Sequence, residues 1–552
     1  MTPPARRARA AAQGLAAWPL AAHGGAGSST YLVLPIGVVV LACALAAYAY
    51  ARRKRRTNAR TTPASSGVQP QPVPLAAPAF AVLDAEVRAA LVAADEAVRT
   101  SAEELDRARS RAGAQAVRPF GEALAHARSE LAGAFRLRQE LDEGRPEDEA
   151  ARRRVLAEME ARCEGAGRRL DAEAAAFDRL RGLGPNAAQA VASAEAAFRE
   201  LTTRTGAAEA TLTGLLRRYA PSATASVARH VEEAKDRLMF ATTSLGGARQ
   251  ALDADDGEGA AVWVRAAEGA VAQVALLVAS VERRERELAD AAGMLPDLLA
   301  TCEAALADSR RMVEEGGEPS AALRERITRA ESALAAVREE STAGPYDPID
   351  ALRRVQAADT AAAVSEDEDA LPPPPARAVL NAATLAARAS VAGAGDHIAT
   401  RRGAVGSRAR TRLAAALSSL ESAPPVASDP VGALDAARAA DALAREALAL
   451  SEQDAAAYGQ RDFAGRTGDG GLGGALLGGI ILDAPHDGSY TDDADGSDAS
   501  DASGGSGGSG GDDTAGRGSG RPSGHAIRGR PGGPACFGGP ATRARRAGGG
   551  PW

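Results

Sequence analysis

The chain has 552 residues, a formal net charge of −7, and only 3% aromatic residues against 45% apolar residues overall. Its apolar content is therefore mostly Ala, Leu and Val. That composition favours helices built on thin, alanine-rich contacts, and the acidic balance gives no reason to expect a nucleic-acid partner. Cys43, Cys163, Cys302 and Cys536 stand far apart in no metal-type spacing, which fits a reducing compartment without structural disulfides.

Residues 1–30 have the outline of a signal peptide, with a basic start and a small-residue middle. Gln13, Gly14 and Pro19 interrupt that middle, and a disordered leader is the preferred reading. Tyr31 to Tyr50 then carries no charge in twenty residues, enough for a helix of about 30 Å, the thickness of a bilayer core. A transmembrane helix is expected over 31–51, with Tyr31, Tyr48 and Tyr50 at the lipid–water boundaries. Arg52, Arg53, Lys54, Arg55 and Arg56 follow at once. Basic flanks stay on the cytoplasmic side, so the rest of the chain is expected in the cytoplasm of a single-pass protein of the cell membrane. The same cluster either contacts anionic lipid head groups or serves only to set topology.

The cluster runs into a proline-rich spacer, so residues 52–79 are read as a basic and extended linker. From 80 to about 460 the apolar residues recur every seven positions. Such rows are Leu91–Val98–Leu105, Leu156–Cys163–Leu170–Phe177, Val231–Leu238–Leu245–Leu252, and Ala267–Val274–Val281–Leu288–Leu295. A seven-residue row makes a seam on one side of a helix that another helix must cover, and Ala234, Ala241 and Ala248 allow close approach. Helix stops are expected at Gly144–Pro146, Gly184–Asn186, Asp255–Gly257, Gly316–Pro319 and Gly344–Pro345. Asp347-Pro348 and Asp429-Pro430 look like two matching helix starts, each an Asp cap before a first-turn Pro. They mark either a weak internal repeat or two independent good starts. Ser365–Asp369 and Pro372–Pro375 cannot be helix interior, which divides a helical region 80–364 from a second at 376–460 by a break at 365–375.

Residues 461–552 turn to Gly, Ser, Asp and Arg and are expected to be disordered. Within them, Gly471–Leu482 is an apolar patch too short to span a bilayer. The expected fold is thus all-α: one transmembrane helix, then an extended array or bundle of antiparallel helical hairpins between an unstructured linker and tail.

No catalytic, cofactor-binding or metal-ligating constellation is read. Gly468–Gly474 lacks the Gly-Lys-Ser/Thr ending of a phosphate loop. The Gly-x-Ser-x-Gly pattern at Ser506 and Ser509 lies in a low-complexity run. Cys163 sits in an apolar row and is expected to be packed rather than reactive.

The order of parts resembles the bacterial TPM-domain membrane proteins. The resemblance rests on Phe135–Cys163, Gly344–Asp359, Arg402–Leu413 and Gly473–Leu482, together with the apolar span and its basic flank. Members of that family carry a signal peptide and an extracytoplasmic TPM domain before the span, where only thirty residues stand here. The resemblance implies the topology and the helical region, with the TPM domain missing and any phosphatase-like activity left without residues to sit on. The expected function is a non-enzymatic cytoplasmic scaffold with coiled-coil-like seams, contacting lipid through the span and unidentified proteins or further copies through the seams. The alternative is a truncated member of that enzyme-like family.

Overall fold

The computed structural model describes residues 80–315, 321–362, 375–462, 475, 477–480, 534 and 536–547. They belong to one compact unit, Pro78–Trp552. The expected span at Tyr31–Tyr50, the basic cluster Arg52–Arg56, the linker to residue 79 and the acidic stretch Ser365–Asp369 lie outside the described residues, as do Gly468–Gly474, Ser506 and Ser509. The described residues are all-helical, with no β-strand among them.

The first element, α1 (Phe80–Asp142), is two helical arms joined at Gly113, whose φ of 82° and ψ of 164° are far from helical values. Fifty-four residues of straight helix would hold Asp84 and Arg138 roughly 80 Å apart. Instead, Arg138 Nη1 donates to Asp84 Oδ1 at 2.5 Å. The arms 80–112 and 114–142 therefore lie antiparallel, and the reversal needs a residue without a Cβ penalty at positive φ. The second helix, α2 (Glu149–Arg181), packs along both arms. Together they enclose Leu91, Phe120, Leu131, Leu156, Met159, Leu170 and Phe177. Helix α2 starts where Asp148 accepts from Ala151 N at 2.9 Å and stops at Gly182 in the left-handed conformation. Asp148→Ala is expected to lower stability by about 1 kcal/mol, read as a reduced urea midpoint with unchanged slope.

The chain continues through α3 (Ala187–Arg218), the single turn α4 (Pro221–Thr224) and α5 (His230–Asp253) into the long α6 (Gly257–Glu315). Helix α6 is the axis on which the C-terminal helices assemble. Its first half packs on α3 and α5 around Val231, Phe240, Val274 and Val281. Its second half packs on α7 (Ala321–Ala343), α8 (Pro348–Ala362) and α9 (Arg377–Thr400) around Leu288, Leu295, Leu298, Ile349 and Leu352. Helices α10 (Ser407–Glu421) and α11 (Pro430–Asp462) close a further core against α9, and α10 also touches α1. Among the described residues α6 alone, over Gly257–Arg311, is long and apolar enough to cross a membrane. Yet 72% of its most apolar stretch is buried inside the protein, the burial of a central core helix.

The seven-residue rows are where the cores form. Leu91, Leu156, Leu170, Phe177, Val274, Val281, Leu288 and Leu295 are all buried, as are Ala234, Ala241 and Ala248 at the close approaches of α5. Both matching starts are real helix caps. Asp347 Oδ1 accepts from Ile349 N and Asp350 N at 3.1 Å, and Asp429 Oδ1 accepts from Gly432 N at 2.8 Å.

The stretch expected to be an unstructured tail contributes two packed segments. Ala475 and Gly478–Ile480 are buried against α5, α6 and the α9–α10 connection. Cys536–Gly539 leads into α12 (Pro540–Ala547), which lies against α1 and α2. Composition alone understated these segments because their burial depends on a few anchors, Ile480 and Phe537 above all, placed among glycines.

Candidate functional site

The first arm of α1 carries Asp95, Arg99, Glu103, Arg107 and Arg111 at four-residue spacing, with Glu96 and Glu104 beside them. On an isolated helix this would be a solvated stripe of i, i+4 pairs. Here it is covered, because segments remote in the chain bring arginines onto it. Charges this deep persist only when paired and hydrogen-bonded.

At one end the α9–α10 connection supplies Arg402 and the first turn of α10 supplies Arg410. Arg410 is fully buried. It pairs with Asp95, and with Glu96 at 2.7 Å, while donating to the carbonyls of Val405 at 3.1 Å and Arg402 at 2.6 Å. Arg402 forks onto Glu103 at 2.8 and 3.2 Å and gives its Nε to Gly478 O at 2.9 Å. Gln273 on α6 donates to the same carbonyl at 2.5 Å and accepts from Arg237 Nε at 2.9 Å. Burial pushes the Asp95 carboxyl up, but Arg99 and Arg410 outweigh it and hold the group below its ordinary value.

At the other end Arg181 of α2 meets Glu104 at 3.2 Å and also Glu268 of α6. Arg107 and Arg111 complete the cluster, at 2.8 Å from Glu104 and 3.1 Å from Glu268. Burial alone would raise Glu104, yet Arg107 and Arg181 bring it down to about 2. Alongside, Asp178 takes Arg265 at 2.9 Å and Arg546 of α12.

The C-terminal segment lies over this seam. Phe537, 1% exposed, stacks on Phe177 with centroids 4.3 Å apart and meets Phe120 edge-on at 5.9 Å. Gly538 N donates to Ser101 Oγ at 3.2 Å, Thr542 N to Asp171 Oδ1 at 2.9 Å, and Arg543 Nη1 to Thr100 Oγ1 at 2.8 Å. The approach to α2 is so close that a Cβ on Gly167 would lie 2.8 Å from Pro540 Cδ.

A second polar cluster sits where α5, α6, α9 and α11 meet, beside a small cleft lined in part by His230, Ser280, Arg283, Glu287 and Asp396. His230 Nδ1 lies 2.5 Å from Ser280 Oγ, and His397 Nδ1 lies 2.8 Å from Ser451 Oγ. Both hydroxyls donate to carbonyls of their own helices, Ser280 to Leu277 O at 2.6 Å and Ser451 to Leu448 O at 2.8 Å. A hydroxyl carries one proton, so while each serine donates to its own helix carbonyl, the facing imidazole donates its Nδ1–H to the serine. Burial, then Arg401 and Arg283, push His230 down to about 4. Burial, then Arg401 and His230, push His397 to about 3. Arg401 is itself paired with Glu233, and Arg283 with Asp396.

Of the sequence-singled residues, Arg52, Arg53, Lys54, Arg55 and Arg56 lie outside the described residues. Cys163 is packed in the α1–α2 core, and its thiol is pushed up to about 12, by burial first and Glu160 second. The stretches Arg402–Leu413 and Gly473–Leu482 meet at the Arg402–Gly478 contact. The buried roles of Asp95, Arg402 and Arg410 were missed, since an arginine that leaves the solvent carries no local mark of it. Among the described residues no group of three His, Cys, Asp or Glu side chains is placed to hold a metal ion.

The chain is 33% identical over 415 residues to each of two UPF0603 proteins of Mycobacterium tuberculosis, from strains CDC 1551 and H37Rv. The match takes in 74% of this chain but 62% of either relative, so the chain spans somewhat under two thirds of the relatives' length. The relatives' names state no activity. No family model and no solved structure matches the chain.

Proposed function

We propose that this is a single-pass membrane protein, kin to the TPM-domain membrane proteins, whose helical body lies in the cytoplasm and acts as a module that holds protein segments. The observation that carries the interaction role is the seating of Cys536–Ala547 on α1 and α2. The body grips a short stretch of polypeptide by an aromatic pocket, side-chain-to-backbone hydrogen bonds and ion pairs, the means by which domains hold peptides. The membrane role is supported by the uncharged Tyr31–Tyr50 stretch and the basic run Arg52–Arg56. In this reading the chain needs no cofactor and meets lipid only through the span and its basic flank.

Fractionation tests the membrane part. The full chain is expected to pellet with membranes and to stay there through alkaline carbonate extraction. Recovery in the soluble fraction would refute it. Protease added outside intact cells should leave the helical body whole, and exchanging Arg52–Arg56 for glutamine should invert a share of the molecules.

The rival reading is an enzyme-like protein whose chemistry belongs to the part of the relatives that this chain does not match. The partial coverage of those relatives favours it. An in-frame TPM domain encoded directly upstream in the gene would move weight to that reading.

A further inference from the structure

We propose that the Cys536–Ala547 segment is an exchangeable ligand, and that the groove it fills on α1 and α2 also accepts the same segment from a second copy of this chain. The proposal builds on the reading of the body as an interaction module and names its partner.

Three observations carry it. The segment is held as a ligand is held. Phe537 fills a pocket between Phe120 and Phe177, Thr542 N and Arg543 bond to Asp171 and Thr100, and Arg546 pairs with Asp178. Next, the fit is specific in shape and charge. Pro540 sits over Gly167, where any side chain would collide, and a segment carrying Arg543, Arg545 and Arg546 meets a groove edged by Glu96, Asp171 and Asp178. Finally, residues 481–535, fifty-five in number, separate the segment from Ile480 in the chain, so adjacency in sequence does not dictate which copy's groove it enters. A segment that leaves one groove for an identical one makes the same contacts, which is why exchange between identical chains is energetically cheap. A covalent tether presents its own segment at an effective concentration of up to roughly millimolar, so self-docking dominates in dilute solution and exchange grows as copies crowd together.

The test uses two full-length variants with different tags. Gly167→Leu blocks the groove and keeps the segment intact. Phe537→Ala keeps the groove and removes the anchor of the segment. Each alone should be monomeric, whereas the mixture should form a one-to-one complex by light scattering, because only one good segment and one open groove then exist. Asp171→Lys is a second groove variant should Gly167→Leu prove misfolded by circular dichroism. A synthetic peptide of residues 534–547 should bind the Phe537→Ala chain and dissolve the complex, and the peptide lacking the Phe537 ring should bind at least about tenfold more weakly. Peptide binding without complex formation would overturn exchange while leaving the interaction module standing. Failure of the peptide to bind the open groove would overturn both.

Discussion

Arg410→Ala is expected to destabilise the helical body by about 3–5 kcal/mol, the loss typical when one partner of a buried ion pair is removed. The Arg410 side chain is fully buried, so solvent does not reach its hydrogen-bond partners in the folded body. Its removal takes the nearest counter-charge from Asp95 and Glu96, leaving Asp95 with Arg99 at 2.8 Å and Glu96 with Arg402 and Arg543 at 3.7 and 3.8 Å. It also removes the donor to the carbonyls of Arg402 and Val405 in the turn leading into α10. The guanidinium matters as much as the charge. Its planar fork reaches two acids and two carbonyls at once, which an ammonium on a flexible stem does not reproduce. Arg410→Lys should therefore recover less than half of the loss. The double replacement of Arg410 by Met and Asp95 by Leu should recover part of the loss, because Glu96 then keeps Arg402 and Arg543 as counter-charges and Arg99 reaches solvent. Urea unfolding followed by circular dichroism reads the ordering of the variants. A loss below about 1 kcal/mol for Arg410→Ala would mean that the seam is wetter than its burial implies.

The seam also explains which parts of the molecule could be read from the sequence. Apolar rows announce themselves, since a seven-residue spacing has few causes other than a covered helix face, and Leu170, Val274 and Leu288 are as buried as that logic requires. Caps announce themselves too, because Asp before Pro satisfies a local demand of the next turn, as Asp347 and Asp429 do. The α1 reversal at Gly113 is different. One glycine in an Ala- and Arg-rich stretch is compatible with a continuous helix, and only the distant meeting of Arg138 with Asp84 decides against it. The buried charges are more hidden still. Asp95, Glu103 and Arg107 are spaced as ordinary solvated pairs are, and what removes them from water arrives from positions 402, 410 and 543. Phe537 shows the same limit in the tail. In a chain so poor in aromatics, a lone phenylalanine among glycines signals an anchor without naming the groove, and that groove is assembled from Phe120 and Phe177 on separate elements.

The histidine pair should make stability fall on mild acidification, before most carboxylates titrate. His230 and His397 are neutral in the folded body, held down to about 4 and about 3, chiefly by burial and then by Arg401. In the unfolded chain both return to the ordinary value of 6.5. Between those limits the unfolded state binds protons that the folded state refuses, so the contribution is complete above pH 6.5 and is lost as pH drops toward the folded values. At pH 5 the penalty depends on the unfolded value alone, and each histidine removes about 2 kcal/mol. The surroundings sharpen the effect. Arg401 and Arg283 repel an imidazolium directly, and their own carboxylates, Glu233 and Asp396, are already engaged with them. The depressed carboxylates of the ionic seam, Asp95, Glu103 and Glu104, weaken the fold in the same direction, but only from their ordinary values of 3.8 and 4.5 downward. Burial raises the Glu287 and Asp359 carboxyls, which work in the opposite direction on acidification, so the histidine contribution is the difference in urea midpoint between wild type and a histidine-free variant from pH 7.5 to 5. The double variant His230→Asn and His397→Asn should be less stable at neutral pH yet lose less than wild type over that interval. A wild-type midpoint that runs parallel to the variant's down to pH 5 would mean that both imidazoles accept protons without leaving the fold.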